Sequence, residues 1–157
     1  MKLYKVKKSN IDKRGLYASK NIKAGEKIIE YVGKLISKKE TESNPKFDNE
    51  RDIYLFNLNE KWDLDGDYHW NTARLINHSC NPNCEVEGKG LKLWISAIKD
   101  IKKGEELSYD YGFSYSKEDL KNFVCKCGSV NCCGYIVREP SRWRINKRFK
   151  ISNRTNK

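Results

Sequence analysis

Short strand-like runs rich in apolar, β-branched or aromatic residues, set between polar stretches, recur along this chain. They are Leu3-Tyr4-Lys5-Val6, Gly15 to Ser19, Lys27 to Gly33, Ile53 to Leu58 and Leu91 to Ile95. Each has a strand's length, and turn signals separate them: Lys23-Ala24-Gly25-Glu26, Asp65-Gly66, Glu87-Gly88-Lys89-Gly90 and Lys102-Lys103-Gly104-Glu105. The pattern predicts a mostly β domain built of several small sheets. Helical spacing is scarce. Ser37 to Glu42 supports a turn or two, and Ser116-Lys117-Glu118-Asp119 has the form of a capping box opening a short helix to Phe123. Asp63-Leu64-Asp65-Gly66-Asp67 superficially resembles a calcium loop, but the sixth-position glycine and twelfth-position glutamate of an EF-hand are missing. Asp65-Gly66 is therefore predicted to be a hairpin turn. No internal repeat or low-complexity linker interrupts the pattern.

Composition narrows the partners. The 157 residues carry 32 Lys plus Arg against 21 Asp plus Glu, a formal charge of +11 that favours anionic partners unless it is only a solvated lysine surface. Much of the excess falls after Val137, where eight Lys and Arg residues (Arg138, Arg142, Arg144, Lys147, Arg148, Lys150, Arg154 and Lys157) face a single acid, Glu139. That stretch, 138–157, is predicted as a basic tail, either a disordered arm or a lid anchored by Trp143. A chain of this length buries roughly two-thirds of its unfolded surface and so supports its own core. No run approaches the roughly 18 apolar residues of a membrane span, and the first residues lack the apolar centre of a secretory signal. A cytoplasmic protein without membrane contact is expected, or a nuclear, chromatin-associated one if the cell is eukaryotic or the protein acts in a host. In such a reducing setting the six cysteines, four of them within Cys125 to Cys133, suggest metal binding rather than disulfides.

Three stretches then occur together and in order: Arg74-Leu75-Ile76-Asn77-His78-Ser79-Cys80-Asn81-Pro82-Asn83-Cys84, Glu106-Leu107-Ser108-Tyr109-Asp110-Tyr111, and Cys125-Lys126-Cys127 with Cys132. With Arg14-Gly15-Leu16-Tyr17-Ala18 and Ile28-Ile29-Glu30-Tyr31-Val32-Gly33 upstream, the chain resembles SET-domain protein-lysine methyltransferases with a zinc-binding post-SET segment, over roughly residues 3 to 136. The resemblance implies a SET fold with a knot-like C-terminal crossing, a SET domain over 1–112, a post-SET zinc segment over 113–137 and the tail beyond. It implies transfer of a methyl group from S-adenosylmethionine to a lysine of a protein substrate, such as a histone, a ribosomal protein or a nucleoid-associated protein, with nucleic-acid contact available to the basic tail.

By the same resemblance Tyr111 is the catalytic tyrosine, Tyr109 occupies the position that limits the number of methyl groups, and Tyr31 is a further channel tyrosine. Arg14, Gly15, Leu16, Tyr54, Arg74, Asn77 and His78 match cofactor-side positions, with His78 a positioning residue rather than a base. The chain departs from the family's Gly-x-Gly at Lys13-Arg14-Gly15, where lysine replaces the first glycine. Cys80, Cys125, Cys127 and Cys132 match the zinc ligands, with Cys84 a rival for the fourth place, and Tyr135 is placed to close over the channel. The chemistry needs no Ser/His/Asp arrangement. It needs a neutral amine, and at pH 7 only about one lysine in 2,500 is neutral. A dry aromatic channel and a neighbouring sulfonium both lower the amine pKa. Two rival readings remain open on sequence: a zinc-stabilised basic module that binds nucleic acid, which leaves Asn77-His78 and Tyr111 unexplained, and an inactive SET-fold peptide binder.

Overall fold

The computed structural model describes residues 2–47, 54–118 and 120–145, and among them ten short strands lie in four small sheets. β1 (Tyr4–Lys8) and β2 (Arg14–Ala18) form an antiparallel hairpin, with Leu16 and Ala18 buried and all of β1 beyond Tyr4 facing water. β3 (Lys27–Tyr31) pairs with β9 (Lys92–Ala97), which pairs in turn with β8 (Cys84–Lys89). A second three-stranded sheet has the order β4 (Lys34–Ser37), β6 (Trp62–Asp65), β5 (Leu55–Asn57). One apolar core joins these layers, including Leu16, Ile22, Tyr31, Ile76, Ile95 and Leu107.

The pair that matters most for the site is the smallest. β7 (Asn77–His78) and β10 (Ser108–Tyr109) run parallel, Ser108 opposite Asn77 and Tyr109 opposite His78. Two residues each make a weak ladder, and the Asn83 side chain extends it: Oδ1 accepts from Ser108 N at 2.9 Å and Nδ2 donates to Glu106 O at 2.8 Å. A buried amide thus supplies the hydrogen bonds that a longer neighbouring strand would give.

The short helix is present as α1 (Lys38–Ser43), capped by the Ser37 hydroxyl, which accepts from Glu40 N. The helix predicted from Ser116 to Phe123 is reduced to a single 3-10 turn at Leu120–Asn122; Asp119 lies outside the described residues, as does Ile53 of the predicted Ile53–Leu58 strand. The hairpin turn is not at Asp65-Gly66. It lies between β5 and β6, where Asn59 Oδ1 accepts from Lys61 N and Trp62 N. Asp65 instead ends β6 as a buried carboxylate paired with Lys46, and Gly66 is required because a Cβ there would strike the Tyr31 ring. Asp63 is likewise paired, with Lys38 and Thr41, so these two carboxylates face protein partners rather than a calcium ion.

Candidate active site

Tyr111 follows β10 and stands where two cavities meet. The larger, about 810 Å³, is lined among others by Lys38, Leu55, Phe56, Asp63, Tyr109 and Phe113. The smaller, about 510 Å³, is lined by the Ile11–Arg14 loop, Tyr54, Arg74, Asn77, His78 and Cys125. Tyr111, Phe123 and Ile136 line both. An aromatic run connects them, with ring centroids at 4.9 Å for Tyr109–Tyr111, 5.7 Å for Tyr111–Phe113 and 5.1 Å for Phe113–Phe123. Both volumes are in the range of small-molecule sites.

The backbone and side chain of Tyr111 are fixed separately. Its hydroxyl donates to the Ile76 carbonyl at 2.9 Å, and its amide N–H donates to His78 Nδ1 at 3.2 Å. Burial pushes the Tyr111 phenol well above its ordinary range, so it remains neutral and its one proton is committed to Ile76. The oxygen lone pairs are left for other partners. His78 accepts at Nδ1, so its proton sits on Nε2, 3.6 Å from Cys80 Sγ. Burial lowers the imidazole to about 4, against the attraction of Asp110, and the ring is neutral at physiological pH.

Tyr109 differs. It too is buried and its phenol is pushed far up, chiefly by desolvation. Yet its hydroxyl has no hydrogen-bond partner among the described residues, and no fully enclosed polar side-chain atom lacks one. That hydroxyl therefore reaches the larger cavity that Tyr109 lines. Tyr31 lines neither cavity: it lies beneath the site, 1% exposed, with its hydroxyl on Tyr54 O and its ring edge against Phe56.

On the smaller cavity the structure shifts the loop contribution upstream. Ile11, Asp12, Lys13 and Arg14 form the wall, while Gly15 and Leu16 lie behind it, buried. The loop is held by Asn77, already matched to the cofactor side, and by Glu106, to which the sequence assigned no role. Glu106 accepts from Ser9 Oγ at 2.6 Å, Asn77 Nδ2 at 2.9 Å and Tyr17 OH at 2.8 Å. Asn77 Nδ2 also reaches Ser9 Oγ and the carbonyls of Asp12 and Arg14. A Cβ on Gly15 would collide with the Glu106 carboxylate, which explains the glycine that does remain in Lys13-Arg14-Gly15. Lys13 adopts φ +40°, the one left-handed non-glycine among the described residues. Tyr54 and Arg74 line the same cavity and touch, the guanidinium 5.5 Å from the ring centroid.

The four cysteines converge. Sγ atoms of Cys80, Cys125, Cys127 and Cys132 lie within 4.8 Å of one another, with Cys80 3.9 Å from both Cys125 and Cys132. Tetrahedral zinc with Zn–S near 2.3 Å requires S···S of about 3.8 Å, so the donor set fits that ion. Backbone N–H groups of Cys80 and Gly134 point at Cys127 Sγ and Cys132 Sγ, an arrangement suited to thiolates. Cys84 is excluded as a ligand: it packs in the core, with Sγ on Asn83 Oδ1. Cys133 turns away to the Tyr135 carbonyl. The segment carrying three of the cysteines closes on itself through Cys125 N to Gly134 O and Ile136 N to Phe123 O. This knuckle delivers its two ends, Phe123 and Ile136, to the wall shared by the cavities. Tyr135 is not among the residues lining either cavity, so the aromatic that closes the wall is Phe123.

A β domain of small sheets with a tyrosine at the junction of two cavities and a four-cysteine cluster beside it matches one family by sequence. The SET domain family model matches residues 13–112, and the chain belongs to that family. It is 41% identical over 135 residues to the histone-lysine N-methyltransferase trithorax of Drosophila virilis. It is 40% identical over 136 residues to the H3 lysine-4 specific histone-lysine N-methyltransferase of Schizosaccharomyces pombe, and 42% identical over 139 residues to human histone-lysine N-methyltransferase 2B. These matches cover 82–83% of this chain but only 3%, 14% and 5% of the three relatives, so the chain spans a small part of their length.

Proposed function

We propose that this chain is a protein-lysine N-methyltransferase that uses S-adenosylmethionine, with a histone lysine as its substrate class. The observation that carries the reading is the position of Tyr111, on the wall common to both cavities, in a chain about 40% identical to histone-lysine methyltransferases. The smaller cavity suits the cofactor, with the Ile11–Arg14 loop, Asn77 and His78 around it. The larger, aromatic-walled cavity suits a lysine side chain and the polypeptide that carries it.

When bound, S-adenosylmethionine supplies a methyl group on a sulfonium sulfur: the C–S bond breaks as the lysine nitrogen forms the new C–N bond, and the nitrogen proton is lost to solvent. Tyr109, Tyr111, Phe113 and Phe123 keep the amine in a desolvated channel, which favours its neutral form. Tyr111 Oη, with its proton held by Ile76 O, turns its lone pairs to the methyl hydrogens and the incoming amine N–H, an alignment role rather than a proton-transfer one. Tyr109 Oη, with no hydrogen-bond partner among the described residues, holds the amine or a water in the space that a further methyl group would need. Cys80, Cys125, Cys127 and Cys132 would hold zinc and so fix the post-SET segment over 113–137 against the site. Basic residues beyond Val137, apart from the buried Arg142, are suited to nucleic acid alongside such a substrate, in a chromatin-associated setting; those from position 146 onward lie outside the described residues. No described helix is long and apolar enough to cross a membrane.

Incubation with methyl-labelled S-adenosylmethionine and separate sets of histones, ribosomal proteins and nucleic-acid-bound lysate proteins tests the reading. Label on lysine of a histone is expected. Tight nucleic-acid binding without label on any protein would replace it with the binding-module reading.

A further inference from the structure

We infer that Arg142 is a positioning residue for methyl transfer, tying the C-terminal turn Glu139–Arg144 and the cysteine cluster to the strand end that bears Tyr111. The inference rests on the function proposed above for that site. Arg142 lies outside the SET match, beyond the last cysteine, and the expected anchor of this region was Trp143. Trp143 is half exposed, whereas Arg142 is 4% exposed. Burying a guanidinium is costly unless it finds acceptors, and here each of its three nitrogens does. Nε donates to Val137 O at 2.9 Å, Nη1 to Cys80 O at 2.8 Å, and Nη2 to Asp110 Oδ2 at 2.7 Å.

Each acceptor belongs to a different part of the site. Val137 ends the knuckle region, Cys80 is a thiol of the cluster, and Asp110 stands between Tyr109 and Tyr111. Asp110 uses its other oxygen to accept from Gly112 N at 2.9 Å, and Oδ2 also accepts from Glu139 N at 3.2 Å. The backbone on both sides of Tyr111 is therefore gripped, by His78 at the Tyr111 amide and by Asp110 at the Gly112 amide. A planar fork with donors in fixed directions can hold three such acceptors at once, and a lysine ammonium on a flexible stem cannot reproduce it. The turn's contribution to chemistry is thus to stop Tyr111 from drifting relative to the shared wall.

The test uses the full chain carrying Arg142→Lys or Arg142→Gln, with zinc content, thermal midpoint, kcat, KM and residue-resolved amide exchange measured in parallel. Expected are retained zinc, a lowered midpoint that stays above the assay temperature, kcat lowered about tenfold or more with KM moved less than about threefold, and exchange at Gly112 quickened about tenfold. Asp110→Asn should lower kcat similarly, and adding Arg142→Lys to it should cost little more, because both break one link. Unchanged kcat and unchanged Gly112 exchange would overturn the assignment, as would a loss of kcat that merely tracks lost zinc or unfolding at the assay temperature. If the unmutated chain methylates no lysine, the proposed function fails separately, and the exchange measurement alone then decides the link: quickened with zinc kept upholds it, unchanged overturns it.

Discussion

Tyr111 and Tyr109 are two positions apart, yet their hydroxyls are in opposite situations, one donating to Ile76 O and the other with no described protein partner. Tyr111→Phe keeps the ring contacts with His78, Tyr109 and Phe113 and loses only the positioned oxygen. Methyl transfer should fall by about a hundredfold or more with cofactor affinity and thermal midpoint nearly kept, the pattern of an interaction made at the transition state. Turnover like that of the unmutated chain would remove Tyr111 from the mechanism. For Tyr109 the test is the product. The unmutated chain should stop chiefly at mono- or dimethyl-lysine in exhaustive reactions, and Tyr109→Phe should go further, since a difference of about 1.4 kcal/mol shifts the ratio tenfold. Mass spectrometry showing mainly trimethyl-lysine before mutation would refute it. Lys13 offers a prediction about stability alone. An exposed lysine at φ +40° bears the left-handed penalty that glycine avoids, so Lys13→Gly should stabilise by up to about 1 kcal/mol, read as a rise of about 2–4 °C in thermal midpoint. These residues were legible because each lies in a short motif or breaks one. The roles of Glu106 and Asn83, although both lie inside those motifs, and of Arg142 were not, because each works by joining segments apart in the chain.

The elements are legible in proportion to how strongly their own residues enforce them. β2, β3 and β9 are rich in apolar and aromatic residues and were readable. β4, with exposed Lys34 and Leu35, and the two-residue β7 and β10 carry no such pattern and exist through their partners. The misplaced hairpin at Asp65-Gly66 shows the same limit. Asp-Gly is a strong local turn signal, but at this position the glycine serves a close approach of Tyr31 rather than a reversal of the chain. Gly66→Ala isolates the point. The added methyl has the Tyr31 ring as its nearest neighbour, and that ring is wedged against Phe56 and Tyr54, so it has little room to yield. Overpacking of this kind should cost about 1–3 kcal/mol. Chemical denaturation should show it, and a stability equal to that of the unmutated chain would mean that Tyr31 moves freely.

At the scale of the whole molecule the question is what the four-cysteine cluster supports. The β core gathers residues from Leu16 to Tyr109 and includes only Cys84 among the cysteines, so the cluster lies outside it. A chain that buries roughly two-thirds of its unfolded surface has a core able to stand without metal. The knuckle does not: its backbone contacts are few, and its ends are held at the site by the convergence of Cys125, Cys127 and Cys132 on Cys80 and by the Arg142 tie. Metal analysis should therefore return one zinc per chain. Chelation should abolish methyl transfer and raise amide exchange across 123–136 while β3, β8 and β9 remain protected. Acidification should act in the same direction, because the ligands bind as thiolates and protons compete with the metal. Cys80→Ser should reproduce the chelated state, whereas Cys84→Ser should keep the zinc and show only a modest loss of stability. If chelation instead unfolds the sheets and the knuckle in one cooperative step, the metal is a determinant of the whole fold, and the separation between core and catalytic wall drawn from the packing does not hold.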